Sequence, residues 1–361
     1  MKKKKRIIII SFISILLLIS IIVILSQHEY KGRNVKKVEK GCTYIIAATG
    51  EELIEGAKIP TPAEGDIYKT EDYEYKYIAD YTQGEGFNYY SNYGIEISLS
   101  CDQSQGNKFE LKCPLKGLSG WEHNTTDKEK ETYEDIAGSI AGEPIVQISF
   151  YECKNMEKSP RIPKSVVLMW NTYAECERLI KSHAIPSNVE VLWNTYRNCV
   201  SLKKTPKIPN SVIIMRDTFL GCEKIKEMPR IPKNVKIMSG TFKGCTCLKK
   251  TKKLPNDVHT IKSLFEGCTS LEVAPDIPDG VYNMERAFFE CTNLKTVKRV
   301  PSSVRKMAHA FSFCERLTGN IKIETKEAHI LSCFCEVNFE EQGLKLKGDK
   351  EFVERLIKTG E

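Results

Sequence analysis

Apolar residues return every 23 positions through the second half of the chain. An aromatic column runs Phe150, Tyr173, Tyr196, Phe219, Phe242, Phe265, Phe288 and Phe311. Three residues after each comes a cysteine: Cys153, Cys176, Cys199, Cys222, Cys245, Cys268, Cys291 and Cys314. Three residues further on sits an aliphatic, from Met156 and Leu179 to Leu294 and Leu317. Valine keeps the same step from Val166 to Val304, and proline from Pro163 to Pro301. A further column reads Met169, Leu192, Met215, Met238, Ile261, Met284 and Met307. A unit this short cannot bury its apolar side chains alone; stacking on identical neighbours buries them. The fixed positions are therefore core columns, and the variable ones face solvent. The pattern predicts a mainly β or α/β-type solenoid of about seven to eight short parallel strands. The strand is expected in stretches such as residues 202–208, where proline ends it for want of an N–H. The return limb then carries Val212, Met215 and Phe219 inward.

The unit reads C-x-x-L-x-x-x-P-x-I-P-x-x-V-x-x-M-x-x-T-F-x-x-C. It resembles the cysteine-containing leucine-rich repeats of BspA-like bacterial surface proteins, over about residues 145–320. The period lies within the roughly 20–29 residues of leucine-rich repeats. One departure is that Leu202 lies six residues before Ile208, which leaves room for a bulge or an extra turn.

The cysteine column admits four readings. A metal ligand wants a second ligand two to four residues away, and most rungs offer none. A nucleophile needs a paired base, and the six histidines share no register with the cysteines. Disulfides between adjacent rungs would join Cα atoms about 4.8 Å apart, but with parallel Cβ vectors that pair poorly. The reading adopted is a buried small side chain, since free cysteine is among the most buried residue types. Outside the column, Cys101 and Cys113 could bridge a hairpin. The Cys245–Cys247 and Cys333–Cys335 pairs have no second pair at zinc-site spacing. No catalytic, cofactor-binding or metal residues are expected.

The amino terminus carries five basic residues, Lys2 to Arg6, before an apolar or hydroxylated run from Ile7 to Ser26. Twenty residues at about 1.5 Å each span a hydrocarbon core of about 30 Å. The run is longer than the usual apolar region of a cleaved signal and Ile24-Leu25-Ser26 is a poor cleavage site, which favours an uncleaved anchor over the alternative of a cleaved signal. Residues 1–33 are thus expected to form a cytoplasmic basic tail and a signal-anchor transmembrane helix. The repeats would then lie outside a single-pass cell-membrane protein. Residues 34–100 read as a tether and a small β-rich, membrane-proximal region, with tyrosine-rich alternation in DIYKTEDYEYKYIADY. Residues 101–152 read as a β-rich region and amino-terminal cap, 153–319 as the repeats, and 320–361 as a carboxy-terminal cap ending in the amphipathic DKEFVERLIK.

The net charge of +7 hides an asymmetry. Residues 154–314 hold 28 Lys and Arg against 14 Asp and Glu, whereas residues 34–153 hold 11 against 22. The repeat cations recur in register. Arg161, Lys207, Arg230, Lys253 and Arg299 share one column, and Lys158, Lys181, Lys204 and Lys250 another. If they point outward they form basic stripes, which attract anionic polymers. The candidate binding face is Arg161, Lys181, Lys204, Lys207, Arg230, Lys250, Lys253 and Arg299. No nucleic-acid motif is present. The expected function is a membrane-anchored, non-catalytic binding or adhesion module for a protein or an anionic glycan. The alternatives are a cell-envelope spacer, and an enzyme with its site in residues 60–150.

Overall fold

A computed structural model describes residues 30–71, 73–78, 98–99, 109–110, 120–125 and 128–358. The expected anchor helix and the Cys101–Cys113 pair lie outside these residues. Among the described residues no helix is long and apolar enough to cross a membrane. The described strands are Asn34–Val35 (β1), Thr43–Ile45 (β2), Glu52–Leu53 (β3), Ile67–Lys69 (β4), Tyr73–Ile78 (β5), Ser98–Leu99 (β6), Phe109–Glu110 (β7) and Gly120–Thr125 (β8). They continue with Ser139–Ile140 (β9), Glu143–Ser149 (β10), Leu168–Trp170 (β11), Val191–Trp193 (β12), Ile214–Arg216 (β13), Arg299–Val300 (β14), Gly319–Ile323 (β15) and Leu344–Lys347 (β16). One described helix, Lys350–Lys358 (α1), follows. The architecture is a mainly β solenoid of stacked parallel strands with little helix.

The regular strands lie on the other limb of the coil from the one expected. Residues 202–208 form no strand, whereas β11, β12 and β13 pair in parallel through the valine-to-methionine limb. Proline explains the difference. Pro160, Pro206, Pro229 and Pro275 share one column inside the expected strand, and each removes a ladder donor. Where two consecutive coils lack proline in the column, at Lys298 and Ile321, β14 and β15 do pair, whereas His183 and Lys252 each stand between coils that carry it and form no strand. Past β13 the main sheet thins to single bridges, Ile214↔Ile237↔Thr260↔Asn283↔Lys306↔His329. The bridging residue there changes from aliphatic to polar, which weakens strand preference.

Inside the coils, the aromatic column forms a ladder of parallel rings. Centroids lie 5.3 Å apart for Tyr173–Tyr196, 5.6 Å for Phe219–Phe242 and 6.0 Å for Phe242–Phe265. The ladder runs one coil beyond the cysteines, to Phe334. Both ends are closed by rotated rings. Tyr133 meets Phe150 at 69°, and Phe339 meets Phe334 at 55°. At the carboxyl end, α1 buries Phe352 and Leu356, and Asp349 caps it by accepting from the Phe352 N–H.

The expected tether over residues 34–59 is instead folded. It holds β1–β3, and Val35, Val38, Tyr44 and Ile59 are buried in the main core. The order β13-β12-β11-β10-β8-β5-β4-β2-β3 makes the amino-terminal region and the first coils one sheet. The alternation read in the tyrosine-rich stretch is real: Tyr73, Tyr75 and Tyr77 of β5 all face inward.

Candidate binding surface

The limb after each cysteine is shaped by its apolar residues. Leu202 and Ile208, and their equivalents Ile225 and Ile231, are buried on either side of a polar stretch. With proline in that stretch the limb stays irregular, tied to its neighbours by bridges such as Lys158↔Lys181 and Glu227↔Lys250. Of the side chains between the two buried residues the middle one can turn inward, as Met228 does, while the charged ones point to solvent. Lys204, Lys207, Arg230, Lys250 and Lys253 are all exposed, as is Lys181.

The eight candidate cations fall into two groups. Arg161 and Arg299 are clasps. Arg161 Nε donates to Asp135 Oδ2 at 2.7 Å, and its guanidinium lies 4.8 Å from the Tyr30 ring centroid. It therefore ties the segment before β9 and the chain around Tyr30 to the first coil. Arg299 pairs with Asp279 at 2.7 Å and with Glu324 at 2.8 Å, holding β15 to the last coils. The other six side chains enter no ion pair among the described residues. Lys207 also borders a groove of about 830 Å³ with Lys31, Arg161, Lys164 and His183. The groove and the column from Lys204 to Lys253 thus form one cationic surface. Its field draws anions to it.

The cysteine column lies entirely in the core, and the structure shows why the residue suits it. Each thiol from Cys176 onward donates to the carbonyl of the aromatic 26 residues earlier. Cys199 reaches Tyr173 O at 3.0 Å, Cys222 reaches Tyr196 O at 3.0 Å, and Cys291 reaches Phe265 O at 3.0 Å. A small apolar side chain with one weak donor meets both needs. Burial pushes these thiols well above their ordinary pKa. They are protonated and unreactive in the fold. Cys333 lies in the same core, one column over, where earlier coils carry Thr172, Thr195, Thr218 and Thr241. Among the described residues no three His, Cys, Asp or Glu side chains are grouped to hold a metal ion.

Sequence reasoning passed over a second concavity, at the corner between the strand limb and the cysteine of the first coils. Its signal was present: Trp170 and Trp193 stand 23 residues apart in a column that later holds Arg216, Ser239, Lys262 and Glu285.

Comparison with known proteins bears on the fold. A leucine-rich repeat protein from Bacteroides ovatus is 21% identical with a TM-score of 0.50, over 63% of this chain and 67% of that one. The T. pallidum leucine-rich repeat protein is 24% identical with a TM-score of 0.42, over 55% of this chain and 83% of that one. No curated protein matches the chain. The profile of the BspA type leucine-rich repeat region matches in six copies, over residues 143–226 and 212–339. Its span coincides with the coils built on the aromatic and cysteine columns, and the chain belongs to the BspA-type leucine-rich-repeat family.

Proposed function

We propose that the chain is a non-catalytic binding module whose cationic limb engages an anionic polymer outside the cell. A carbohydrate such as teichoic acid or a sulfated glycan has the right chemistry, as does an acidic protein surface. The amino-terminal apolar run would hold the module at the membrane. The observation that carries the reading is the division among the candidate cations. Those at the two ends of the array are consumed in clasps, while Lys204, Lys207, Arg230, Lys250 and Lys253 stay exposed and unpaired on successive coils. Three of them, Lys207, Arg230 and Lys253, occupy one column on consecutive coils, so they span about 10 Å. An extended anion can bridge all three.

The test is binding of the full-length chain, in detergent micelles, to immobilised teichoic acid and to heparin. Binding should weaken steeply with salt, because the Debye length falls from about 30 Å at 0.01 M to about 8 Å at 0.15 M. The K207E/R230E/K253E variant should lose it while keeping its circular dichroism. Absence of binding at about 0.15 M salt would leave the spacer reading in its place.

A further inference from the structure

The concavity at the first corner has a composition unlike the cationic limb. It encloses about 390 Å³, within the size range of small-molecule sites. Trp170 supplies a part-exposed aromatic ring packed against the buried Trp193, and Glu175, Arg197, Arg216 and Asp217 supply planar polar groups. Two guanidiniums face two carboxylates, so the formal charges cancel. The pairs are loosely made. Arg197 Nε lies 3.5 Å from Glu175, and Arg216 Nε lies 3.6 Å from Asp217. Charge-assisted bonds are usually about 2.7–2.9 Å long. Glu175 also accepts from the Asn198 amide at 2.9 and 3.1 Å, which leaves its remaining lone pairs, the Asp217 carboxylate and the guanidinium donors for a ligand.

The backbone is arranged to present these groups. Glu175 and Asp217 both adopt left-handed φ angles, of 64° and 48°. At the position of Glu175 later coils use Gly221, Gly244 and Gly267, the residue suited to that conformation. Glutamate holds the same conformation at Glu152, Glu290 and Glu336, so the left-handed corner belongs to the coil in general and Glu175 uses it to present a carboxylate here. Below Asp217 the next coil leaves room, since a Cβ on Gly240 would collide with its carboxylate. The Arg216 guanidinium is stacked 4.9 Å from the Trp193 ring centroid, which fixes its plane.

We propose that this cavity is a saccharide site that takes a neutral pyranose unit. A sugar ring has an apolar C–H face and a rim of adjacent hydroxyls. Aromatic rings suit the first, and planar carboxylate, amide and guanidinium groups suit the second, binding hydroxyl pairs two at a time. A net neutral cavity gives no field to favour an ion, and Glu175 and Asp217 oppose an acidic sugar. The site precedes the cysteine in each coil and the cationic limb follows it, so the two are separable by mutation.

The chain contains three tryptophans, two of which line the cavity. The full-length chain in micelles is titrated with neutral hexose and N-acetylhexosamine oligosaccharides while tryptophan emission and acrylamide quenching are followed. A saturable change is expected with at least one series, unaltered by salt and by K207E/R230E/K253E. Glu175→Gly and Arg197→Ala should each weaken it about tenfold or more, through loss of a charged hydrogen-bond partner. Glu175→Gly installs the residue of the later coils, so folding is retained, and melting curves verify this. No saturable response to any neutral probe would overturn the proposal. So would a response that survives both variants, or one confined to charged sugars and abolished by salt.

Discussion

Phe242→Ala probes the ring ladder at its centre. Phe242 is fully buried and lies between Phe219 at 5.6 Å and Phe265 at 6.0 Å, within 12° of parallel to both. Truncating a buried Phe costs about 3–5 kcal/mol. Two lost stacks at about 0.5–1.5 kcal/mol each account for part of this. Against a typical domain stability of about 5–15 kcal/mol, that is a large fraction. The loss is also local, because a coil contacts only its neighbours. The coils before the break stay joined to the amino-terminal sheet, and those after it stay joined to α1. The two blocks should then unfold separately. All three tryptophans, Trp121, Trp170 and Trp193, precede Phe242, so fluorescence reports the first block while far-ultraviolet circular dichroism reports both. In urea, the two probes should coincide for the wild type and separate for the variant. Coincident transitions, with a loss below about 1 kcal/mol, would refute the ladder as the coupling element.

Cys222→Ala should cost about 1–2 kcal/mol in urea melts, because the Tyr196 carbonyl keeps its second donor, the Cys199 N–H at 3.1 Å. Thiol counting should find the seven column thiols from Cys176 to Cys314 unlabelled until denaturant is added, with only thiols outside the column, such as the part-exposed Cys247, open to reagent; ready labelling of the column would contradict its burial. Burial pushes the Glu266 carboxyl up, but Arg286 and Lys243 outweigh it and the net shift is downward. Its stabilising effect is therefore present above the unfolded value of about 4.3 and lost as pH falls through the folded one. Glu266→Gln should cost about 1.5–3 kcal/mol at pH 7, and melts at successively lower pH should show the gap to the wild type closing. Deleting residues 222–244 joins Gly221 to Cys245 and recreates the Gly-Cys step, so the shortened chain should fold and melt cooperatively.

The coil was legible because a single period places every core column at once. Phe242, Cys245 and Leu248 all lie where the repeat puts them. Strand placement was not, since a proline inside the apolar frame, as at Pro206, moves the regular pairing to the limb that keeps all its donors. The folding of residues 34–59 depends on distant partners: Val35 pairs with Ile140, a contact no local pattern announces. The exposure of Lys207 and Arg230 followed from the repeat. The capture of Arg161 did not, because Asp135 belongs to a segment outside it. The proposed cavity combines the Trp170–Trp193 column with Asp217 and Glu175 from two other columns of the first coils, so no single column displays the whole of it.

The thiol-to-carbonyl link of one coil is the same as that of the next, with the same 26-residue reach. Each unit therefore carries its own half of two identical joints. At the level of the gene, crossing-over between any two cysteine codons of the array leaves the reading frame, the cross-section and the end closures intact. It changes only the reach of the molecule, in steps of about 4.8 Å per coil. A population can then carry alleles of different length that display the same chemistry. The column that resists reaction within one molecule is the register along which the lineage can lengthen or shorten it.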